Sequence, residues 1–388
     1  MASVNHEDCG LPIADCGFIP IQFAIRNPQS AMFLRYCILF IMAVLVACSG
    51  CATVRTIGGA PKALLPPACQ MTPCTAQCED GVQLALRRYQ PRNGDTKRGA
   101  VVLCHGIGEN GNIFDLLNFN GLARYMAGEG LDVWVADLRG CGLSAHAPSA
   151  SNCTIEDYVG QDVPAILSAV RRGTGTKKVV WVGHNLGACI ALIFAATHPD
   201  EQDVSIVSVG ASMTGQRPYP SVLDDEAGTC QRLMCAASRF PSFSGDSTPR
   251  APKGWEALFY NPEHMPAETL EAMVRNACGP TPARVAKQFV SMLRGGDLRS
   301  ADGGTNYAKE MSRIKCPAFF ICGKADNLAD TGSARRLYQT VSSPDKEFRL
   351  FCLTNGDGAD FGNADLLAGP RAGIDVYPEI VLWAKKHL

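Results

Sequence analysis

Residues 181–188 read WVGHNLGA, and the centre of this segment is Asn185. An apolar strand that runs into G-x-x-x-G and then into an apolar helix makes a sharp turn, which lifts its central side chain into a cleft. A serine or cysteine at that tip attacks carbonyls. It needs an imidazole to take its proton and a carboxylate to orient the imidazole. Asparagine has no hydroxyl to attack with. The turn itself suits it, because the tip residue is held at an unfavourable angle with positive φ, and Asn tolerates that region better than most residues. Either the nucleophile has moved or the chemistry has been lost.

The elements needed to hold such a turn are present. Strands are expected at VQLALRRY after the Asp80-Gly81 turn, at 99–106, 131–138, 177–183, 203–210, 316–323 and 347–353. Several are continuous apolar runs, as in a parallel sheet buried on both faces. Helices are expected over 116–130, from a Thr154/Asp157 capping box to about Arg171, over 186–198, and at the C-terminal VYPEIVLWAKKHL. Strict alternation of strand and helix implies a mostly parallel α/β sheet with helices on both faces. Residues from about 212 to 305 break the alternation with Pro, Ser, Met and short helical patterns such as AETLEAMVRNA and ARVAKQFVSML. Inserted there, they would cover the C-terminal ends of the strands as a cap.

A formal net charge of −1, with 46% hydrophobic and 19% charged residues, gives no electrostatic case for binding nucleic acid. From Met32 the chain runs MFLRYCILFIMAVLVACSGCAT: one Arg, a short apolar run, then small residues. The run is too short for a membrane span and fits a signal-peptide core. It resembles a bacterial lipoprotein signal, with Leu45-Val46-Ala47-Cys48 as the lipidation site and Ser49-Gly50-Cys51 as a second candidate. The domain reading is therefore 1–31 as an over-long gene start or disordered, 32–51 as signal, 52–77 as tether, and 78–388 as the folded domain. The expected location is the bacterial cell envelope, lipid-anchored on the periplasmic face of the outer membrane.

Of eighteen cysteines, Cys69, Cys74 and Cys78 cluster after the signal, and Cys230 and Cys235 lie in the insertion. In an exported protein some of these could pair, but spacing does not say which. Cys104, Cys189, Cys322 and Cys352 sit in apolar runs and read as small core residues. Paired C-x-x-C spacing and nearby His are both missing, so no metal site is expected. No cofactor is implied either.

Motifs in sequence order resemble the α/β-hydrolase superfamily, and within it bacterial esterase/lipase-like proteins related to acid lipases and polyhydroxyalkanoate synthases. HGIGENGNIFDL (105–116) resembles the oxyanion loop, WVADLRGCGLSA (134–145) the strand and loop after it, and WVGHNLGA the nucleophile elbow. CGKADNLAD (322–330) resembles the acid loop, and DFGNADLLAGPRAGIDVYPEI (360–380) the histidine loop. The resemblance implies an acid at Asp326 and backbone oxyanion donors at Ile107 and Leu186. It puts the nucleophile at Asn185. Where the family writes D-x-G-H-x-D, this chain has Asp360-Phe361-Gly362-Asn363-Ala364-Asp365, so the base position is Asn363.

Rescue by other residues finds little support. None of the seven histidines lies between His264 and His387. In the family, the residue at His184 turns away from the pocket and the one at His105 is structural; His146 borders the cleft or, more plainly, faces solvent. Cys189, one turn along the elbow helix, should point into the core. Ser144, Ser212 and Thr214 could border the pocket, but no motif places a base beside them. The leading expectation is a lipid-anchored pseudoenzyme that binds a small hydrophobic or acyl ligand or a protein partner. The rivals are an ester hydrolase with a relocated nucleophile and an envelope scaffold with a vestigial pocket.

Overall fold

The computed structural model describes residues 69–92, 98–116, 121–146, 152–215 and 255–388. The signal and the lipidation candidates Cys48 and Cys51 lie outside these residues, as do Cys230 and Cys235.

Eight strands form one sheet: β1 (Cys69–Gln77), β2 (Gln83–Pro91), β3 (Arg98–Cys104), β4 (Leu131–Ala136), β5 (Val179–His184), β6 (Val204–Val209), β7 (Ala318–Gly323) and β8 (Lys346–Phe351). Their spatial order is β1-β2-β4-β3-β5-β6-β7-β8. The pairs β1–β2 and β2–β4 are antiparallel, and every later pair is parallel. The expected α/β architecture is borne out. Strands β4 to β7 are buried at every residue, which explains their unbroken apolar runs.

Strand β1 corrects the reading of 52–77 as a tether over Cys69–Gln77 alone, and the rest of that segment lies outside the described residues. Its register runs from Cys69 opposite Pro91 to Gln77 opposite Gln83. As an edge strand it buries Cys69 and Ala76 and leaves most other side chains exposed, so it carries little apolar periodicity. Pro73 at its centre denies the free edge a donor, a common protection of edge strands.

The capping box is present, with Thr154 N–H donating to Asp157 Oδ2 at 2.7 Å. The chain then winds through a π-helical turn (Tyr158–Asp162) into the helix Val163–Thr174, stopped by Gly175 at φ +73°. The helix expected over 116–130 is shorter, Leu122–Gly128, and a 3₁₀ turn over Gly111–Asp115 precedes it. The helix Thr331–Thr340, between β7 and β8, was not anticipated.

The insertion leaves the sheet after β6 and rejoins it at β7. Its two ends meet, with Leu298 N–H donating to Met213 O at 2.8 Å and Gly215 N–H to Gly296 O at 3.0 Å. Between them, Ala267–Ala272 continues into a π-helical turn to Ala277, and Ala283–Leu293 forms a second helix. The insertion grips the loop after β3: Asn110 N–H donates to Ala277 O, Gly279 N–H to Gly108 O, and Gly108 N–H to Thr281 Oγ1.

A buried ion pair pins the loop after β4. Arg139 Nε donates to Asp162 Oδ1 at 2.6 Å, and the same guanidinium reaches Asp80 in the β1–β2 turn. Burial still pushes the Asp162 carboxyl up to about 6, outweighing the attraction of Arg139.

Candidate active site

Strand β5 delivers its last residue, His184, to a turn that only small neighbours permit. A Cβ on Gly183 would lie 2.3 Å from Ala188 N, and one on Gly187 2.3 Å from Cys104 O. Helix Leu186–Thr197 therefore packs directly on β3 and β5. At the tip Asn185 has φ +48° and ψ −112°, and no other non-glycine among the described residues has positive φ.

The other two positions converge on this turn. Gly323, at the end of β7, lies so close to the histidine-loop backbone that a Cβ there would sit 2.1 Å from Phe361 O. That approach brings Asp326 to Asn363, whose Nδ2 donates to Asp326 Oδ2 at 2.8 Å and to Gly210 O at 2.9 Å. Asn185 Nδ2 points at the same Gly210 carbonyl, at 3.4 Å. Asn185, Asp326 and Asn363 are each about 3% exposed.

Asp326 Oδ1 accepts N–H groups from Leu328 at 2.9 Å and Ala329 at 2.8 Å. Burial pushes its carboxyl up to about 7, against these donors and the Asn363 amide, which favour the charged form.

The two backbone donors differ. Leu186 N–H, expected to face the pocket, donates instead to Asn185 Oδ1 at 2.8 Å. This corrects the expectation for Leu186: the turn residue caps its own helix and occupies that donor. Ile107 N–H has no hydrogen-bond partner among the described residues.

His184 and Glu109 form a buried pair that sequence reasoning missed. The imidazole Nδ1 lies 2.8 Å from Glu109 Oε2, and Nε2 lies 3.2 Å from the Asn363 carbonyl oxygen. A carboxylate at Nδ1 and a carbonyl at Nε2 both favour an N–H on the nitrogen that faces them, an arrangement that favours the cationic ring. Burial opposes charge on either group. Their mutual attraction outweighs it, holding His184 above and Glu109 below the usual range. Glu109 also accepts Gly106 N–H at 2.8 Å, tying the oxyanion loop to the elbow strand. The only signal in the sequence was an acid in the glycine-rich stretch Gly106–Gly111.

The other candidates are engaged elsewhere. His105 accepts Leu138 N–H on Nε2 and donates from Nδ1 to Gly106 O. His146 is exposed. Cys189 is buried, donates to Ser212 O at 3.3 Å, and burial pushes its thiol up to about 12. Ser144 Oγ donates to Asp137 O, and Ser212 Oγ donates to Thr214 O. Thr214 lies in a backbone bridge with Asp297. Among the described residues Cys69, Cys74 and Cys78 are free thiols, as are Cys104, Cys189, Cys322 and Cys352. Among the same residues, no cluster of His, Cys, Asp and Glu could hold a metal ion.

Known proteins share this framework. The chain is 22% identical to a tear acid lipase-like protein of Mesocricetus auratus, over 76% of this chain and 83% of that one. It is also 22% identical to a monoacylglycerol lipase of Mycolicibacterium smegmatis, over 70% and 85%. An esterase from Exiguobacterium antarcticum superposes with a TM-score of 0.55 at 20% identity, covering 81% of this chain and all of that one. The model of the family described as serine aminopeptidase, S33, matches residues 95–352. With the strand order and the elbow in place, the chain belongs to the serine aminopeptidase S33 family, within the α/β-hydrolase superfamily of esterases and lipases.

Proposed function

We propose that this esterase/lipase-like protein no longer performs serine hydrolysis and instead holds a small hydrophobic or acyl ligand beneath its cap. One observation carries the reading: the group that donates to Asp326 is the amide of Asn363. An amide can orient on a carboxylate as an imidazole does, but it cannot take a proton from a nucleophile at neutral pH. Loss of either the nucleophile or the base alone costs roughly 10⁴-fold or more in rate. The engagement of Cys189, Ser144 and Ser212 weighs against a relocated nucleophile. Acyl chemistry is suggested by relatives named as lipases and esterases, and by apolar cap residues such as Met273, Phe289 and Met292.

We further propose that the chain is held on the periplasmic face of a bacterial membrane, in keeping with the outer membrane, by lipid on Cys48 or Cys51. The apolar run followed by LVAC supports this reading. A protein partner in the envelope would be compatible with it.

The test is protein purified from its native membrane. It should carry a lipidated N-terminal cysteine and a co-purifying acyl lipid by mass spectrometry, and show no turnover of a short aryl ester above the uncatalysed rate. Turnover that survives Asn185→Ala but is lost in Cys189→Ala would restore the active-hydrolase reading. A protein that binds no lipid would favour the scaffold.

A further inference from the structure

We propose that the polar end of the cleft selects a ligand whose terminal group both donates and accepts a hydrogen bond, a primary carboxamide or an alcohol in preference to an ester. The proposal rests on the ligand-binding reading above and adds the chemistry of the head group.

The partners of the two amides fix their orientation. The Asn363 NH₂ faces two acceptors, Asp326 Oδ2 and Gly210 O, at 2.8 and 2.9 Å. Reversing the amide would set an oxygen against both, so the carbonyl limb must point away from Asp326. That oxygen accepts no hydrogen bond among the described residues, although Asn363 is 3% exposed. Asn185 is fixed in the same way, with Oδ1 on Leu186 N–H and Nδ2 toward Gly210 O. Its oxygen is therefore spent inside the turn.

Among the described residues Asn363 Oδ1 meets no donor and the N–H of Ile107, itself 4% exposed, meets no acceptor. Both groups belong to segments that flank the Asn185 turn. A Cβ on Gly106, the residue before Ile107, would lie 2.9 Å from Asn185 Cβ; one on Gly210 would lie 2.7 Å from Asn363 Nδ2. A serine-and-histidine site presents donors to a substrate oxygen, whereas this one presents a donor and an acceptor.

An ester carries two acceptor oxygens and no donor. It can satisfy Ile107 but would bury Asn363 Oδ1 against another oxygen or against carbon. A carboxamide has a carbonyl to offer Ile107 and an N–H to offer Asn363, and a hydroxyl likewise carries both an acceptor and a donor. A carboxylate is worst placed, being acceptor-only and near Asp326. Sites built around a buried hydrogen-bonding group discriminate strongly against analogues that leave it unpaired.

The test titrates the full chain, reconstituted in nanodiscs, with hexanamide, hexanol, methyl pentanoate and hexanoate by calorimetry. Empty nanodiscs provide the partitioning baseline. Hexanamide and hexanol should bind roughly tenfold or more tightly than the ester, the size expected of one satisfied buried hydrogen bond. Asn363→Ala should remove most of that preference. Saturable binding with equal affinities, or with the ester preferred, overturns the head-group proposal and leaves the ligand-binding reading standing. No saturable binding by any member overturns both. The wild-type ranking decides the matter even if Asn363→Ala does not fold.

Discussion

Asn185 and Asn363 donate their side-chain amides to a single acceptor, the carbonyl of Gly210, at 3.4 and 2.9 Å. The two residues at the positions that the family resemblance assigns to nucleophile and base are thus joined through one backbone oxygen at the end of β6. The arrangement closes the turn from inside, since Asn185 also takes the Leu186 N–H that a reacting oxyanion would need.

Restoring hydroxyl and imidazole should therefore have two effects. Asn185→Ser supplies the nucleophile and releases Leu186 N–H, while Asn363→His supplies a base already facing Asp326. Either change alone should recover little ester hydrolysis. The double variant should exceed both by roughly a hundredfold or more, well beyond the product of the singles, because the groups act as a unit. Initial rates on a short aryl ester measure this. An inactive, folded double variant would mean that the cap or pocket no longer admits an ester.

The backbone at Asn185 sets a second expectation. At φ +48°, ψ −112° a β-branched side chain is strongly disfavoured, so Asn185→Val should lose about 2 kcal/mol or more. Glycine relieves the strain but gives up two hydrogen bonds, so Asn185→Gly should stay within about 1 kcal/mol of wild type. Urea unfolding of the three proteins orders them. Equal stability of the valine and glycine variants would contradict the geometry.

Arg139 and Asp162 are both almost fully buried, so removing one charge strands the other. Arg139→Met should cost about 3–5 kcal/mol, and adding Asp162→Asn should recover a substantial part of it by removing the uncompensated charge. Thermal unfolding of both single variants and the double variant completes the cycle. Additive losses would show that the pair does not act together.

Asp326 makes stability depend on pH with a definite sign. Its folded pKa, about 7, lies above the unfolded value of about 3.9, so between them the folded state holds the extra proton. The contribution is fully present at low pH and is lost as pH rises through that interval, by up to about 1.4 kcal/mol per pH unit. The stability of wild type relative to Asp326→Asn should therefore fall between pH 5 and pH 7. Asp162 and Asp365, each pushed up to about 6 chiefly by burial, act with the same sign but remain in both proteins and cancel. Denaturant titrations at several pH values measure the difference, and a rise over this range would contradict the burial argument.

The sequence by itself determined the α/β sheet, the insertion between β6 and β7 and the positions of Asn185, Asp326 and Asn363. These rest on local signals: unbroken apolar runs for buried strands, glycines where chains touch, and a turn that tolerates Asn at positive φ. Strand β1 was not legible, because an edge strand with two buried residues has no periodicity and its partner is chosen by β2. The Thr331–Thr340 helix was missed because TGSARRLYQT buries only Ser333, Ala334 and Leu337. Tertiary structure alone decided which end of each amide faces which partner, that Leu186 N–H is already occupied, and that His184 pairs with Glu109. The reason is physical. A residue's type fixes how many hydrogen bonds it can make, but the acceptors that use them come from strands and loops distant in sequence, and only packing brings those to one point.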